Sequence, residues 1–443
     1  MNGPADVTEK TGAPEKPANM AGLAETGTGT ANTGPARAKT VGTEMAKDRA
    51  AQAETRHPRR DGPVLPGAVI GVLGGGQLGR MLALAGRSMG YRFAVLDPAQ
   101  DSPCGQVADW QITAPYHDRE AAGRLADRCD VITYEFENVD AGVAELLEAR
   151  CRVPQGSRLL AVTQHRLREK RAVEAAGVPV APYREVRGLK DLRAAVRDLG
   201  LPGVLKTVTG GYDGKGQRVI RTEDELPDAL AALGGEGACL VYEQFVRFER
   251  ELSVMAARSP DGATVSFPPA ENEHRDNILH LSIAPARISR EIAERARRMA
   301  ERLAAALGVV GLLGVEMFLT PEGGLFVNEL APRPHNSGHY TMDACNVSQF
   351  ELHLRAICGL PLVEPKLLVP AVMVNVLGEH VEPLLAFLAR GGERELLQSG
   401  ITPKVHLYGK SEARAKRKMG HLNLLTEDVG AALRWVRTCG IWR

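Results

Sequence analysis

The chain is short of cysteine, of long apolar runs and of net charge, and each shortage removes a class of protein. Its seven cysteines (Cys104, Cys129, Cys151, Cys239, Cys345, Cys358 and Cys439) are odd in number and scattered, with no CxxC pair and no clustered histidine. That excludes a disulfide framework and a structural zinc site, and predicts free thiols in a reducing cytoplasm. No stretch reaches the roughly 18 uncharged apolar residues of a membrane span. The 55 Lys and Arg are offset by 54 Asp and Glu, so nothing draws the chain generally to nucleic acid or anionic lipid, and any anion site must be a local pocket.

Residues 1–62 contain no Phe, Tyr or Trp and show no hydrophobic periodicity. Such a composition cannot bury enough surface to offset chain entropy and predicts a disordered tail. It has no apolar stretch for secretion, and its scattered acidic residues argue against an organelle transit peptide. The remaining length, with an overall 44% apolar and 25% charged residues, suits a soluble protein of two or three domains.

From Ala68 the pattern becomes strand, turn, helix. Ala68 to Leu73 is apolar, Gly74 to Gly79 is a glycine turn, Arg80 to Gly90 has helical spacing, and Tyr91 to Leu96 reads as a second strand ending at Asp97. Gly74-x-Gly76-x-x-Gly79 with Asp97 beyond it matches a dinucleotide fingerprint, although the same turn serves any fold that presents a helix N-terminus to an anion. Further strands are expected at Val131–Phe136, Val204–Lys206, Gln217–Arg221, Leu240–Val246, Glu251–Ala257, Thr264–Phe267, Leu313–Leu319 and Leu325–Glu329. Helices are expected at Leu160–Ala176, Leu189–Leu199 and Ser289–Leu307. Beyond Pro361 come a strand at Ala371–Val376, a helix near Glu382–Leu388, a strand at Lys404–Tyr408 and a helix near Glu427–Arg437.

Chemistry concentrates in a few places. Lys206 ends an apolar strand and precedes a loop with four glycines, Gly210, Gly211, Gly214 and Gly216. A lysine before the glycines is not a GxxxxGK[ST] loop, and places a triphosphate between a strand ammonium and a flexible flap, as in ATP-grasp ligases. Glu316 and the Asn328-Glu329 pair sit in apolar late strands, where two carboxylates and an amide oxygen suit Mg²⁺ and burial without a cation would be costly. Glu243 to Val246, followed by Glu251, offers hinge groups for an adenine edge and an acid for ribose hydroxyls. The loop Ala331 to Tyr340 is dense in anion-binding donors, and Lys410, Arg414, Lys416, Arg417 and Lys418 form a late basic cluster.

In combination, GGGQLGRM from Gly74, KTVTGGYDGKGQ from Lys206, NELAPRPHNSGH from Asn328, SQFELHLRAI from Ser348 and RKMGHL from Arg417 resemble the N5-carboxyaminoimidazole ribonucleotide synthase family, ATP-grasp carboxylases of purine biosynthesis. The resemblance implies an α/β chain: a Rossmann-like pre-ATP-grasp domain (63–160), an ATP-grasp domain (161–365) and a small C-terminal domain (366–443) packing on the active site. It implies that ATP is held by Arg166, Lys206, Gly211, Tyr212, Asp213, Gly214, Lys215, Gly216, Gln217, Glu243, Gln244, Phe245, Val246, Glu251, His274, Asn328 and Glu329. Mg²⁺ would fall to Glu316 and Glu329. Aminoimidazole ribonucleotide would meet Gly76, Gln77, Leu78, Tyr212, Asp213, Arg333, His335, Asn336, Ser337, Lys410, Arg417 and Lys418, with bicarbonate as co-substrate. Lys206, Asp213 and Arg333 are the implied catalytic residues, and a cytoplasmic homodimer the implied state. Where the family tends to carry Pro-Gly before Arg-Lys-Met-Gly-His, this chain has Ala415-Lys416, which leaves that turn's geometry open. A ligase acting on formate, a nicotinamide-linked oxidoreductase and a non-catalytic nucleotide sensor are the competing readings.

Overall fold

A computed structural model of the chain describes residues 62–211 and 214–442. The expected tail lies outside these residues apart from Gly62, and so do Tyr212 and Asp213.

The first sheet is built from β1 (Val69–Leu73), β2 (Arg92–Asp97), β3 (Trp110–Thr113) and β4 (Val131–Tyr134), with α1 (Gln77–Ser88), α2 (Arg119–Ala126) and α3 (Ala141–Arg150) between and after them. Its strands are parallel in the order β3-β2-β1-β4. Strands β1, β2 and β4 are almost wholly buried, which is why they read as apolar runs rather than alternating ones. The turn is tighter than the sequence suggests: α1 begins at Gln77, so only Gly74 to Gly76 lie outside it.

The single helix expected over Leu160–Ala176 is two, α4 (Ser157–Thr163) and α5 (Arg166–Ala175). The break is anchored by Gln164, whose Nε2 donates to the carbonyls of Glu137 at 2.6 Å and Val139 at 2.8 Å. A small lobe follows: β5 (Tyr183–Val186), α6 (Leu189–Leu199), β6 (Gly203–Thr207), β7 (Gln217–Ile220), α7 (Leu226–Ala232) and β8 (Leu240–Gln244). Its antiparallel sheet, β5-β8-β6-β7, encloses Leu192, Val196, Leu205, Leu226 and Leu230.

The large sheet starts with β9 (Arg250–Arg258), β10 (Thr264–Ser266), β11 (Ala270–Arg275) and β12 (Ile278–Ala284). After α8 (Arg290–Ala306) come β13 (Gly311–Leu319), β14 (Leu325–Ala331) and α9 (Gln349–Ile357). Then follow β15 (Ala371–Leu377), α10 (Gly378–Ala389), α11 (Glu393–Gln398), β16 (Thr402–Leu407), β17 (Lys418–Leu425) and α12 (Val429–Thr438). The order is β14-β13-β9-β11-β12-β15-β17-β16, with β10 on β9. Helix α8 lays Ala296, Ala300, Leu303 and Ala304 on this sheet, and α9 packs Phe350, Leu354 and Ile357 against the first domain.

The C-terminal segment does more than pack against its neighbours: β12 pairs with β15, Leu281 opposite Val374, so its strands continue the large sheet. Trp442 seals its end, 4% exposed, with Nε1 donating to the Asn375 carbonyl at 2.8 Å. The cysteines are all free thiols, and no helix among the described residues is long and apolar enough to cross a membrane.

Candidate functional site

The glycine turn is closed by protein, not poised for a pyrophosphate. The Glu135 carboxylate, from the end of β4, accepts the Gly76 N–H on one oxygen and the Gly79 N–H at 2.6 Å on the other. A helix N-terminus attracts an anion, and here an internal one occupies it. A side chain at Gly76 would place its Cβ 2.5 Å from Glu135 Oε1, and Gly74, at φ +103°, abuts the Glu135 and Phe136 side chains. Asp97, in the ribose position of the dinucleotide fingerprint, instead accepts from the Gly75 N–H at 2.7 Å and the Tyr116 hydroxyl at 2.6 Å. The oxidoreductase reading therefore has no seat for its cofactor. Leu78, expected at the substrate, lies in the first turn of α1 with its side chain in the core, so only its main chain could face a ligand.

In the small lobe, Lys206 Nζ donates to Glu243 Oε2 at 3.0 Å, and Lys170 Nζ lies 3.3 Å from Glu243 Oε1. All three are buried, and although burial opposes its charge, the two ammoniums hold the Glu243 carboxyl below its ordinary range. The glycine loop starts at β6 and closes on itself, the Thr207 N–H donating to Gly216 O at 2.8 Å. A Cβ at Gly214 would sit 2.6 Å from Asn277 of the β11–β12 turn, so the loop reaches the large sheet. Two of the expected hinge donors are already used: the N–H groups of Gln244 and Phe245 donate to the carbonyls of Pro182 and Pro202. The Glu243 side chain faces the lysines, which leaves Val246 and the carbonyls of this stretch for an adenine edge.

Glu316 on β13 and Glu329 on β14 are register partners, with a bulge directly after Glu316. Burial, then the Glu329 charge, push the Glu316 carboxyl up to about 8, against the pull of His274. His274 lies 2.9 Å from Glu251, whose charge, with those of Glu316 and Glu329, outweighs burial and raises the imidazole above its ordinary value. Arg166 joins the two clusters. Its guanidinium is 3.9 Å from Glu329 and contributes to the field that depresses Glu243. The acid pair fits Mg²⁺: hard oxygens, a charge repulsion that a cation relieves, and room in the coordination sphere for phosphate oxygens and water. Among the described residues no third His, Cys, Asp or Glu completes a protein-only cage.

The Ala331–Tyr340 loop stands beside these acids. Arg333 forms a two-pronged pair with Glu137, Nε and Nη2 donating at 2.5 and 2.7 Å, and its Nη1 donates to Pro334 O. His335 Nε2 is 3.4 Å from Glu316, and its Nδ1 meets the Ser337 hydroxyl at 2.9 Å. Ser337, expected to touch substrate, is fully buried and instead holds that ring. Asn336 Nδ2 is buried without a hydrogen-bond partner among the described residues, a donor still wanting an acceptor. Lys410 Nζ donates to the Lys418 carbonyl at 2.7 Å, and Arg417 Nη1 to the Glu412 carbonyl at 3.0 Å. Lys416 adopts φ +62°, the conformation a glycine takes without cost, so the turn survives the replacement of Pro-Gly by Ala-Lys at local strain. Lys416 Nζ pairs with Asp276 at 3.0 Å rather than with the site.

Sequence reasoning did not find Glu135, Glu137, Lys170 or Asp97's structural part. For the first two a signal existed, since Glu135-Phe136-Glu137 follows directly on an apolar parallel strand, where functional groups gather. Beside them a cleft of about 590 Å³ has Tyr116, Asn138 and Asp140 on one side and Thr209 and Gly210 of the glycine loop on the other.

Three family models match successive parts of the chain: a ribonucleotide synthetase preATP-grasp domain over residues 68–164, an ATP-grasp domain over 171–350 and a phosphoribosylaminoimidazole carboxylase C-terminal domain over 371–434. The chain is 52% identical over 364 residues to an N5-carboxyaminoimidazole ribonucleotide synthase of Bacillus subtilis, covering 82% of this chain and 93% of that one. Over the same length it is 43% identical to the synthase of Staphylococcus aureus strain MRSA252, covering 82% of this chain and 94% of that one. A crystal structure of an ADP complex of N5-carboxyaminoimidazole ribonucleotide synthetase superimposes with a TM-score of 0.81 at 51% identity, covering 86% of this chain and 99% of that one. The Aspergillus clavatus synthase in complex with ADP and 5-aminoimidazole ribonucleotide does so at 0.76 and 33% identity, covering 84% of this chain and 96% of that one.

Proposed function

From membership of the N5-carboxyaminoimidazole ribonucleotide synthase family, to which this chain belongs, we infer that it carboxylates 5-aminoimidazole ribonucleotide at its exocyclic amine, consuming ATP and bicarbonate and releasing ADP and phosphate. One observation in the structure supports this most: Arg166 ties the two clusters together, 3.9 Å from Glu329 of the acid pair and within the field of Glu243, the carboxylate that holds the strand lysine, while Lys418 of the late basic cluster acts on Glu316.

Bicarbonate is a poor electrophile, and transfer of the γ-phosphoryl group makes it carboxyphosphate, which the substrate amine can attack directly or through released CO₂. Phosphoryl transfer asks the protein mainly to position and neutralise charge. Lys206 and the main-chain N–H groups of Gly211 to Gln217 would cradle the phosphates, with Arg166, His274 and Asn328 beside them. Glu251 would take the ribose hydroxyls. Glu316 and Glu329 would hold Mg²⁺, which when bound would supply charge neutralisation for the phosphate oxygens. Lys410, Arg417 and Lys418 would receive the substrate phosphate, and the unpartnered Asn336 amide its polar ring or ribose. Arg333, fixed by Glu137, presents its charge to the reacting anion. Asp213, outside the described residues, is our choice for orienting the amine or taking its proton.

The same reading includes domain boundaries near 160 and 365, a cytoplasmic location and a homodimer. ADP release measured with each component omitted in turn tests the chemistry. Turnover should require Mg²⁺, bicarbonate and aminoimidazole ribonucleotide together; turnover with formate in place of bicarbonate overturns the assignment.

A further inference from the structure

Lys170 is a buried ammonium with no part in the reaction as set out above, and its surroundings are unusual. It is 3% exposed, on α5, with Nζ 3.3 Å from Glu243 Oε1 and 5.6 Å from the centre of the Tyr183 ring. Lys206 approaches the other oxygen of the same carboxylate at 3.0 Å. One buried carboxylate is thus shared by two buried ammoniums. Leaving a buried carboxylate with no counter-charge costs several kcal/mol in general, so a lone Lys206–Glu243 pair would resist giving its lysine to a ligand.

We propose that Lys170 is a positioning residue for nucleotide binding: it retains Glu243 so that Lys206 can turn from that carboxylate to a phosphate oxygen. The three groups sum to one positive charge, which an incoming phosphate matches. With Lys170 in place, Glu243 keeps a cationic partner throughout, and the transfer of Lys206 strands no buried anion. Lys170 acts only through Glu243. This inference rests on the nucleotide site proposed above.

The test is calorimetric titration of the full chain with Mg-ADP. Lys170→Met should weaken ADP about tenfold and raise KM for ATP similarly, while KM for aminoimidazole ribonucleotide at saturating ATP stays within twofold. Lys170→Arg, which keeps the charge, should restore most of the affinity. In a Glu243→Gln background, where Lys206 has no anion to leave, Lys170→Met should change ADP affinity by less than twofold. Equal weakening in both backgrounds, or no weakening in either, overturns the proposal. Should the methionine variant not fold, Lys170→Gln in the same two backgrounds gives the same comparison. Failure of the unaltered protein to bind ADP would instead sink the nucleotide site itself.

Discussion

Lys410 shows how neighbours set a single side chain's working range. Burial, then the Arg417 charge, bring its ammonium down to about 8, with Glu135 pulling the other way. The cation is therefore present below pH 8 and lost above it, and a phosphate in its reach loses one partner as pH rises. We expect kcat/KM for aminoimidazole ribonucleotide to fall severalfold between pH 7 and 9, read from initial rates, and Lys410→Arg to flatten that limb. Lys206→Ala should lower kcat/KM for ATP on the order of a hundredfold, by analogy with loss of one transition-state donor; near-normal ATP turnover in a folded variant would refute its role. Lys416 carries the opposite kind of message. Its left-handed backbone is strained and its pair with Asp276 is exposed on both sides, so Lys416→Gly should stabilise the protein by about 0.5–1 kcal/mol in urea unfolding.

Elements differ in how openly the sequence declares them. Strands β1, β2 and β13 were legible because burial on both faces makes most of each strand an apolar run. Strand β11, Ala-Glu-Asn-Glu-His-Arg, was not, because its polar side chains serve ion pairs instead of core: Glu271 receives Arg250 at 2.8 Å and three contacts from Arg287. Its turn, Asp276-Asn277 with φ of +50° and +61°, is a two-residue hairpin connection that the asparagine permits but that lacks the glycine signal. The start of β17 reads as a basic patch for the same reason: its first residue is Lys418. The candidate residues of the site stand out one by one in the sequence, but not that Ser337 turns back onto His335 within its own loop, nor that Glu135 fills a helix N-terminus built by a distant segment of the chain. Gly86 on α1 illustrates a contact of that kind, for a Cβ there would lie 2.4 Å from the Phe93 ring and 3.0 Å from Leu354 of α9. Gly86→Ala should cost about 1–3 kcal/mol in urea unfolding.

At the scale of the molecule, the pairing of β12 with β15 places the acid pair on β13 and β14 and the basic Lys418 of β17 in one hydrogen-bonded sheet. The small lobe, with Lys206 and the glycine loop, has a sheet of its own. ADP should therefore slow hydrogen exchange at residues 207–217 and leave β15 and β17 unchanged within twofold, as read by mass spectrometry. The far end of the large sheet depends on its terminal plug: Trp442→Ala should cost about 3–5 kcal/mol in the same denaturant measurement. Because the seats proposed for sugar phosphate and metal draw on strands of one pleated sheet, their spacing should act as a ruler that nucleotide arrival does not stretch. Selection by length follows, and an analogue whose phosphate stands one methylene farther out would reach its cradle only by drawing its amine out of line.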